Sequence, residues 1–276
     1  MGLPELRFVE IPHRSRGQYD GDRFSYMESG PAQAPPLILL HGIGSNSTGW
    51  RHQFAGLADR FRVIAWNAPG YMLSDNLRAE TPGSRDYADA LRDFLAALGI
   101  ERFDLLANSF GTRIAQSFAH FHPGRIARAV FTGTSVAVER TAAESARMIE
   151  ARAAQVGRGG YGFGERASAL LGSRASADTL AIVQRVLRAT NPKGFMQAAR
   201  FGAGTNAPRL GAGLTMPLLM IQGEDDRVTP CAGNAALLAQ AVPHAQLVML
   251  EGCGHLPEIE EYAQVNQLVR EFLPPA

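Results

Sequence analysis

The sequence predicts an α/β fold, a doubly wound and mostly parallel sheet with a helical insertion in its second half. Three observations predict it. Short apolar runs that read as buried strands recur along the chain, amphipathic helical patterns alternate with them, and one long stretch from about Ser135 to Leu210 interrupts the alternation.

Taken in order, Leu6–Ile11 and Phe24–Glu28 alternate like strands. Leu37–Leu40 follows Pro35-Pro36 and is ended by His41-Gly42, and Arg62–Trp66 is ended by Asn67-Ala68-Pro69-Gly70. Asp86–Leu98 places Tyr87, Ala90, Leu91, Phe94, Leu95 and Leu98 on one stripe, the spacing of a helix with a buried face, and Gly99 stops it. Phe103–Ala107 and Ile126–Thr132 are further strands, and the helix expected over Ser109–Phe121 between them carries Ile114, Ala115, Phe118 and Ala119. Met216–Gln222 and Gln246–Leu250 complete the strands, and Glu258–Phe272 reads as a last helix on Tyr262, Val265, Leu268, Val269 and Phe272. The expected organisation is a core over 1–134 and 211–276 with a helical cap over 135–210. In the cap, helical patterns run near Glu144–Gln155 and Thr179–Leu187. Gly157, Gly159 and Gly162 fit G-x-G-x-x-G, but no strand precedes them, so they read as a flexible loop and not a dinucleotide site.

Bulk properties narrow the function. The chain has 276 residues, 46% of them hydrophobic, enough for a full core. A net charge of +1 gives no overall field toward nucleic acid or membrane, and the start MGLPELRFVE has no apolar signal core, so a cytoplasmic protein is expected. Lys193 is the only lysine, which removes a GK[ST] phosphate loop. Cys231 and Cys253 make no CxxC or zinc spacing, and no disulfide is expected in an intracellular chain. No metal or cofactor is expected.

The chemistry rests on four loops, each following an apolar strand. Ala107-Asn108-Ser109-Phe110-Gly111 stands between a strand and a helix, the setting of a nucleophile elbow, where residues two away on both sides must be small. That turn exposes the Ser109 hydroxyl at a helix N-terminus, whose dipole favours developing negative charge; the plain alternative is a serine N-cap. His41-Gly42-Ile43-Gly44 can supply one backbone N–H to a tetrahedral oxyanion, from Ile43, with the second from Phe110. His41 itself reads as structural. Gly254-His255-Leu256-Pro257 offers a general base, and Gly223-Glu224-Asp225-Asp226 offers a carboxylate to orient it, with Asp225 and Asp226 competing. The order Ser, Asp, His, each after its own strand, is what links them. His120 and His122, two apart at a helix end, make a poor metal pair, and His13, His52 and His244 read as surface residues.

With these residues in place, the sequence resembles the α/β-hydrolase superfamily over nearly the whole chain outside the cap, through HGIG, NAPGYMLSD, ANSFG, GEDDRVTP and GCGH. The resemblance implies the α/β-hydrolase fold and a Ser109–His255–Asp226 triad. In the family's G-x-x-D-x-x-x-P pattern the acid falls on Asp226 and not on Asp225. Two branches are similar. Esterases and enol-lactone hydrolases match across HGIG, the acid loop and NPKGF. The meta-cleavage C–C hydrolases share an Asn before the nucleophile, here Asn108, and a segment like His41 to Trp50, and they often lack the second glycine of PGxGxSD, where Met72 stands. Their Trp after the histidine is Leu256 here. Gly42, Asn108, Met72 and Leu256 are accordingly the expected substrate-binding residues. Asn67 replaces the usual Asp.

The expected activity is hydrolysis of a small-molecule carboxylic ester or lactone through an acyl-serine intermediate. C–C hydrolysis is the alternative, followed by other acyl chemistry and by a non-turnover ligand sensor on the same fold. The cap holds eleven basic and five acidic residues, a net +6, so the rest of the chain carries −5. Most of these arginines read as solvated helix faces; Lys193 and Arg200, flanking Phe195, are those expected to turn inward toward an anionic substrate.

Overall fold

The structure, a computed structural model, describes residues 2–138, 140–204 and 207–273. Its elements are β1 (Leu6–Glu10), β2 (Arg23–Ser29), β3 (Pro36–Leu40), α1 (Arg51–Leu57), β4 (Arg62–Trp66), α2 (Ser84–Ala97), β5 (Phe103–Asn108), α3 (Phe110–Phe121) and β6 (Ile126–Thr132). There follow α4 (Ala142–Gly157), α5 (Gly159–Gly164), α6 (Ala167–Leu170), α7 (Ala177–Arg188) and α8 (Pro192–Ala203), then β7 (Leu218–Gly223), α9 (Ala235–Ala241), β8 (Gln246–Leu250), α10 (Pro257–Glu260) and α11 (Tyr262–Phe272). The strands form one eight-stranded sheet in the order β1-β2-β4-β3-β5-β6-β7-β8. Only β1–β2 and β2–β4 pair antiparallel; β4 through β8 run parallel.

Period-two alternation assigns each strand residue to a layer. Along β3, Ile38 and Leu40 pack with Tyr87, Leu91 and Phe94 of α2, Ile114 and Phe118 of α3 and Leu238 of α9. Leu37 and Leu39 face the other way, onto Phe54 and Leu57 of α1 and Val265 and Val269 of α11. All four strand side chains are buried, each stabilising the fold by ~1.5–3 kcal/mol. Helices on both faces explain why the parallel strands read as unbroken apolar runs. Parallel strands also place the loops after β3, β4, β5, β6, β7 and β8 at one sheet edge, so residues far apart in sequence converge there.

Between β6 and β7 the described residues form five helices and no strand. Local signals start them. The Thr141 hydroxyl accepts the Glu144 N–H while the Glu144 carboxylate accepts the Thr141 N–H, a reciprocal cap. Ser176 accepts from the Thr179 N–H to open α7, and Asn191 accepts from the Lys193 N–H to open α8, with Pro192 in its first turn. The helices share a core of Phe163, Leu170, Val183, Leu187 and Phe195, which also takes in Leu256 and Ile259 from the segment after β8.

Two expectations need correction. Gly157–Gly162 is not a loop: α4 reaches Gly157 and α5 begins at Gly159. A β-carbon at Gly162 would lie 2.6 Å from Cβ of Arg158, so glycine serves close packing there and not flexibility. The last helix is also not continuous. Glu261 leaves helical geometry at φ −119° and ψ 41°, splitting it into α10 and α11, while the Glu260 side chain turns back to accept N–H groups of Gly172, Gly254 and Leu256.

Candidate active site

Ser109 follows the wholly buried strand β5 and precedes α3 with φ 49° and ψ −110°, a backbone region that costs a non-glycine residue about 1–3 kcal/mol. The surroundings hold it there. The Ser109 N–H donates to the Thr132 carbonyl at 3.1 Å, and the Ser109 carbonyl accepts the Thr112 hydroxyl at 2.7 Å. A β-carbon at Gly111 would come within 2.2 Å of the Leu40 carbonyl oxygen, so only glycine lets α3 pass β3 this closely. Ala107, the departure from glycine on the other side, is accommodated fully buried.

The Ser109 hydroxyl lies 2.8 Å from His255 Nε2, and His255 Nδ1 lies 2.9 Å from Asp226 Oδ2. Asp226 also accepts from the Gln222 amide (2.6 Å), the Thr229 hydroxyl (2.9 Å) and the N–H groups of Val228 and Thr229 (both 2.9 Å). Burial opposes its charge, but the bonds from His255 and Thr229 outweigh burial and hold its carboxyl down to about 2. An ionised carboxylate only accepts, so Nδ1 carries the imidazole proton and the Nε2 lone pair faces the serine. This is the arrangement that lets a hydroxyl lose its proton as it attacks an electrophilic carbon.

Asp225 goes elsewhere. Its carboxylate accepts the Ser173 N–H at 2.8 Å, and hydrogen bonding from the Ser173 side chain first, then from its N–H, holds its pKa below the usual carboxylate range. Adjacent carboxylates thus face opposite ways, one to the imidazole and one to the inserted helices.

Ile43 and Phe110 both border the space beside Ser109. Among the described residues neither N–H has an acceptor, leaving two donors available to an oxyanion. Gly42, Asn108 and Leu256 line a cavity shared with Ser109 and His255. A β-carbon on Gly42 would come within 2.4 Å of Asn108 Oδ1. Met72 lines neither cavity beside Ser109. The turn at Met72 and Leu73, with φ 41° and 70°, folds back so that the Met72 carbonyl accepts the Ser25 hydroxyl. That turn explains Asn67 as well. Asn67 accepts the Ser47 N–H at 2.7 Å and donates to Ser25 Oγ at 3.0 Å. With the Ser25 proton committed to Met72, an aspartate at 67 would face an oxygen with no proton to share.

His41 is structural. Its Nε2 accepts the Ala68 N–H at 3.1 Å, so Nδ1 donates to the Gly42 carbonyl at 2.9 Å, and burial lowers its pKa to about 4. Cys231 and Cys253 are free. Among the described residues no group of three acidic, histidine or cysteine side chains could hold a metal, and no helix is long and apolar enough to cross a membrane.

Several contributors escape sequence reasoning. Glu258 is wholly buried behind the imidazole, accepting from Thr132 Oγ1 at 2.9 Å and Asn108 Nδ2 at 3.3 Å, and burial pushes its carboxyl up to about 8. Asn108 Nδ2 also donates to the His255 carbonyl at 3.1 Å. Helical spacing alone puts Glu258 on a solvated first turn, and no local signal marks it as buried. Lys193 and Arg200 do not turn inward. Lys193 pairs with Asp20 and Arg200 donates to the Glu80 carbonyl at 3.0 Å. Cations of the insertion that do line the cavities beside Ser109 include Arg140, Arg152 and Arg166, and the guanidinium groups of Arg152 and Arg166 each sit 5.9 Å from the Phe195 ring centre.

Known proteins share this architecture. An uncharacterized protein of Mycobacterium tuberculosis is 31% identical over 298 residues, covering 98% of this chain and 84% of that protein. A 2-hydroxy-6-oxononadienedioate/2-hydroxy-6-oxononatrienedioate hydrolase of Cupriavidus pinatubonensis is 30% identical over 263 residues, 88% of each chain. A thermophilic esterase from Thermogutta terrifontis superposes with a TM-score of 0.81 at 24% identity, covering 98% of both chains, which speaks to the fold. The family model for the alpha/beta hydrolase fold matches residues 35–262, and the chain belongs to that family.

Proposed function

We propose that this chain is a serine hydrolase that cleaves a carboxylic ester or lactone through an acyl-serine intermediate. The observation that carries the reading is the unbroken series from Ser109 Oγ through His255 to Asp226, at 2.8 and 2.9 Å, at the start of α3. In this reading Ser109 Oγ attacks the acyl carbon and His255 Nε2 takes its proton. The N–H groups of Ile43 and Phe110 receive the charge that develops on the carbonyl oxygen. His255 then returns the proton to the departing alkoxide, and the acyl group stays on Ser109. Water, deprotonated by the same imidazole, attacks the acyl carbon, and His255 returns that proton to Ser109 Oγ as the acid leaves. Asp226 holds the Nδ1 tautomer and stabilises the imidazolium formed twice per cycle.

A second reading is C–C hydrolysis of a vinylogous diketo acid, favoured by the relative named for that activity and by Asn108 before the serine. Leu256, buried in the cavity, stands where the C–C branch carries Trp, and this ranks the ester first. The test is a turnover screen with acyl esters of graded length, lactones and a dienoate ketone. A higher kcat/KM for an ester or lactone than for the dienoate supports the reading, and the reverse order replaces it with C–C hydrolysis. Binding without steady-state turnover would make the protein a sensor.

A further inference from the structure

The carboxyl of Glu258 lies where three segments of the site meet. Glu258 stands in the first turn of α10, shortly after His255, and is buried. Its Oε2 accepts from Thr132 Oγ1 at 2.9 Å and from Asn108 Nδ2 at 3.3 Å, so it touches the ends of β6 and β5. Asn108 is the residue before Ser109, and the same Nδ2 donates to the His255 carbonyl at 3.1 Å. The Ser109 N–H in turn donates to the Thr132 carbonyl. A β-carbon at Gly133 would lie 2.5 Å from the His255 carbonyl oxygen and 3.0 Å from its Nδ1, so the histidine rests directly on the end of β6. One amide and one carboxyl therefore join the strand that carries the serine to the loop that carries the histidine.

The His255 carbonyl only accepts, so the nitrogen of Asn108 faces it and the amide oxygen faces away. That oxygen is buried without a partner, which pulls against this orientation. Glu258 supplies a second acceptor that holds the nitrogen in place. A carboxyl this deep is disfavoured as an anion. Burial pushes it up to about 8, and the charges of Glu260 and Asp226 push the same way, so it is uncharged at neutral pH. Cys253 and His255 are the other titratable groups beside it. From the remaining elements, β5 and β6 bring Asn108 and Thr132, and α1 brings Gln53, whose amide donates to the Glu258 carbonyl at 3.0 Å. Neither β7 nor the Ser47–Trp50 turn packed on α10 carries an ionisable side chain. We propose that Glu258 is a positioning residue of the reaction, fixing Asn108 and Thr132 and through them holding His255 in register with Ser109. The proposal rests on Ser109 being the nucleophile. The protonated carboxyl suits this task. Once ionised, it would set a second anion beside Asp226, and the imidazolium would give its proton to the leaving alkoxide less readily.

The test uses p-nitrophenyl acetate and butyrate across a range of pH. Glu258→Leu fills the space without an acceptor and should lower kcat on the order of 10–100-fold, the scale for misplaced reacting groups. KM should stay within about twofold of native. Glu258→Gln keeps the acceptor and should restore most of kcat at pH 7. As pH rises through about 8 the native enzyme should lose kcat, and the Gln variant should not. Thr132→Val removes a donor that favours the ionised carboxyl, so it should move that loss to higher pH, which keeps the test open if the Leu variant does not fold. Native kcat in a folded Glu258→Leu protein, or an alkaline loss that the Gln variant shares, overturns the proposal. A measurement without turnover separates it from the nucleophile assignment. The His255 Nδ1 proton, held by Asp226, gives a proton NMR resonance downfield of the amides. Glu258→Leu should shift or broaden it, and Glu258→Gln should leave it near native. An unmoved resonance in Glu258→Leu overturns the proposal even where a phosphonate labels Ser109. If Ser109→Ala keeps its activity, the nucleophile assignment falls, and a moved resonance still supports the hold of Glu258 on His255.

Discussion

Buried charge is handled in opposite ways at the sheet edge and in the inserted helices. At the edge, Asp226 accepts from five donors, counting two from Thr229, and Glu260 accepts N–H groups from three residues. In the inserted helices, Arg166 and Arg152 are desolvated over one aromatic ring with no carboxylate partner among the described residues. Saturated charges are locked in one geometry and suit parts that must hold still. A buried charge without a counter-charge keeps its desolvation cost.

The sharpest way to break the comparison is at its centre. Ser109→Ala should reduce kcat on the order of 10³–10⁶-fold in steady-state assays while leaving the thermal unfolding curve near native. Activity near native in this variant would remove Ser109 from the machinery.

The adjacent aspartates give the next largest contrast. Asp226→Asn should cost on the order of 10⁴ in kcat, because an amide can donate to Nδ1 and so favours the wrong tautomer. Asp225→Asn should cost less than about tenfold, since Asp225 reaches Ser173 and not the imidazole. Reversed losses would mean that the acid has been misassigned.

Glu260 tests whether the saturated edge also anchors the inserted helices. It ties Gly172 to Gly254 and Leu256, next to the bond from the His255 N–H to the Leu170 carbonyl at 2.7 Å. Glu260→Ala should destabilise the protein by about 2–3 kcal/mol in denaturant titrations, the scale for removing a charged acceptor from buried N–H groups. It should also raise KM as Leu170 shifts. Unchanged stability would show that the hydrophobic contacts of Leu256 and Ile259 alone hold the helices down.

Glu258 sharpens the comparison from the other side, as a carboxyl at the edge kept neutral. The folded chain holds its proton up to about 8, whereas the unfolded chain releases it near 4.5. Between those values the folded state binds more protons, so stability falls as pH rises through that window. Glu258→Gln, which keeps an acceptor for Thr132 and Asn108, should flatten the pH dependence of the unfolding free energy there. A profile as steep as native would assign the slope to other groups.

Much of the edge is legible in the sequence because it depends on short-range geometry. A strand ending in Ala107-Asn108-Ser109-Phe110-Gly111 needs small residues around a strained serine, and that requirement is visible in five residues. Between Asp225 and Asp226 the residues alone leave a choice, and only the resemblance to the family's G-x-x-D-x-x-x-P pattern points to Asp226. Met72 misled because its substrate role was inferred from a glycine pattern, while its loop in fact closes on Ser25 of β2, more than forty positions away in sequence.

The sequence by itself determined the order and type of most core elements and marked Ser109 and His255 as candidates, since apolar periodicity and steric limits at turns act over a few neighbours. Only the tertiary structure decided which charges face the cavity. Arg166 and Arg200 look alike in a helical pattern, and their fates depend on how the helices between β6 and β7 settle on Leu256 and Ile259. Glu258 is one further case. Its three-residue distance from His255 says nothing of burial, which arises because β5, β6 and α10 close around it, and desolvation then keeps its proton.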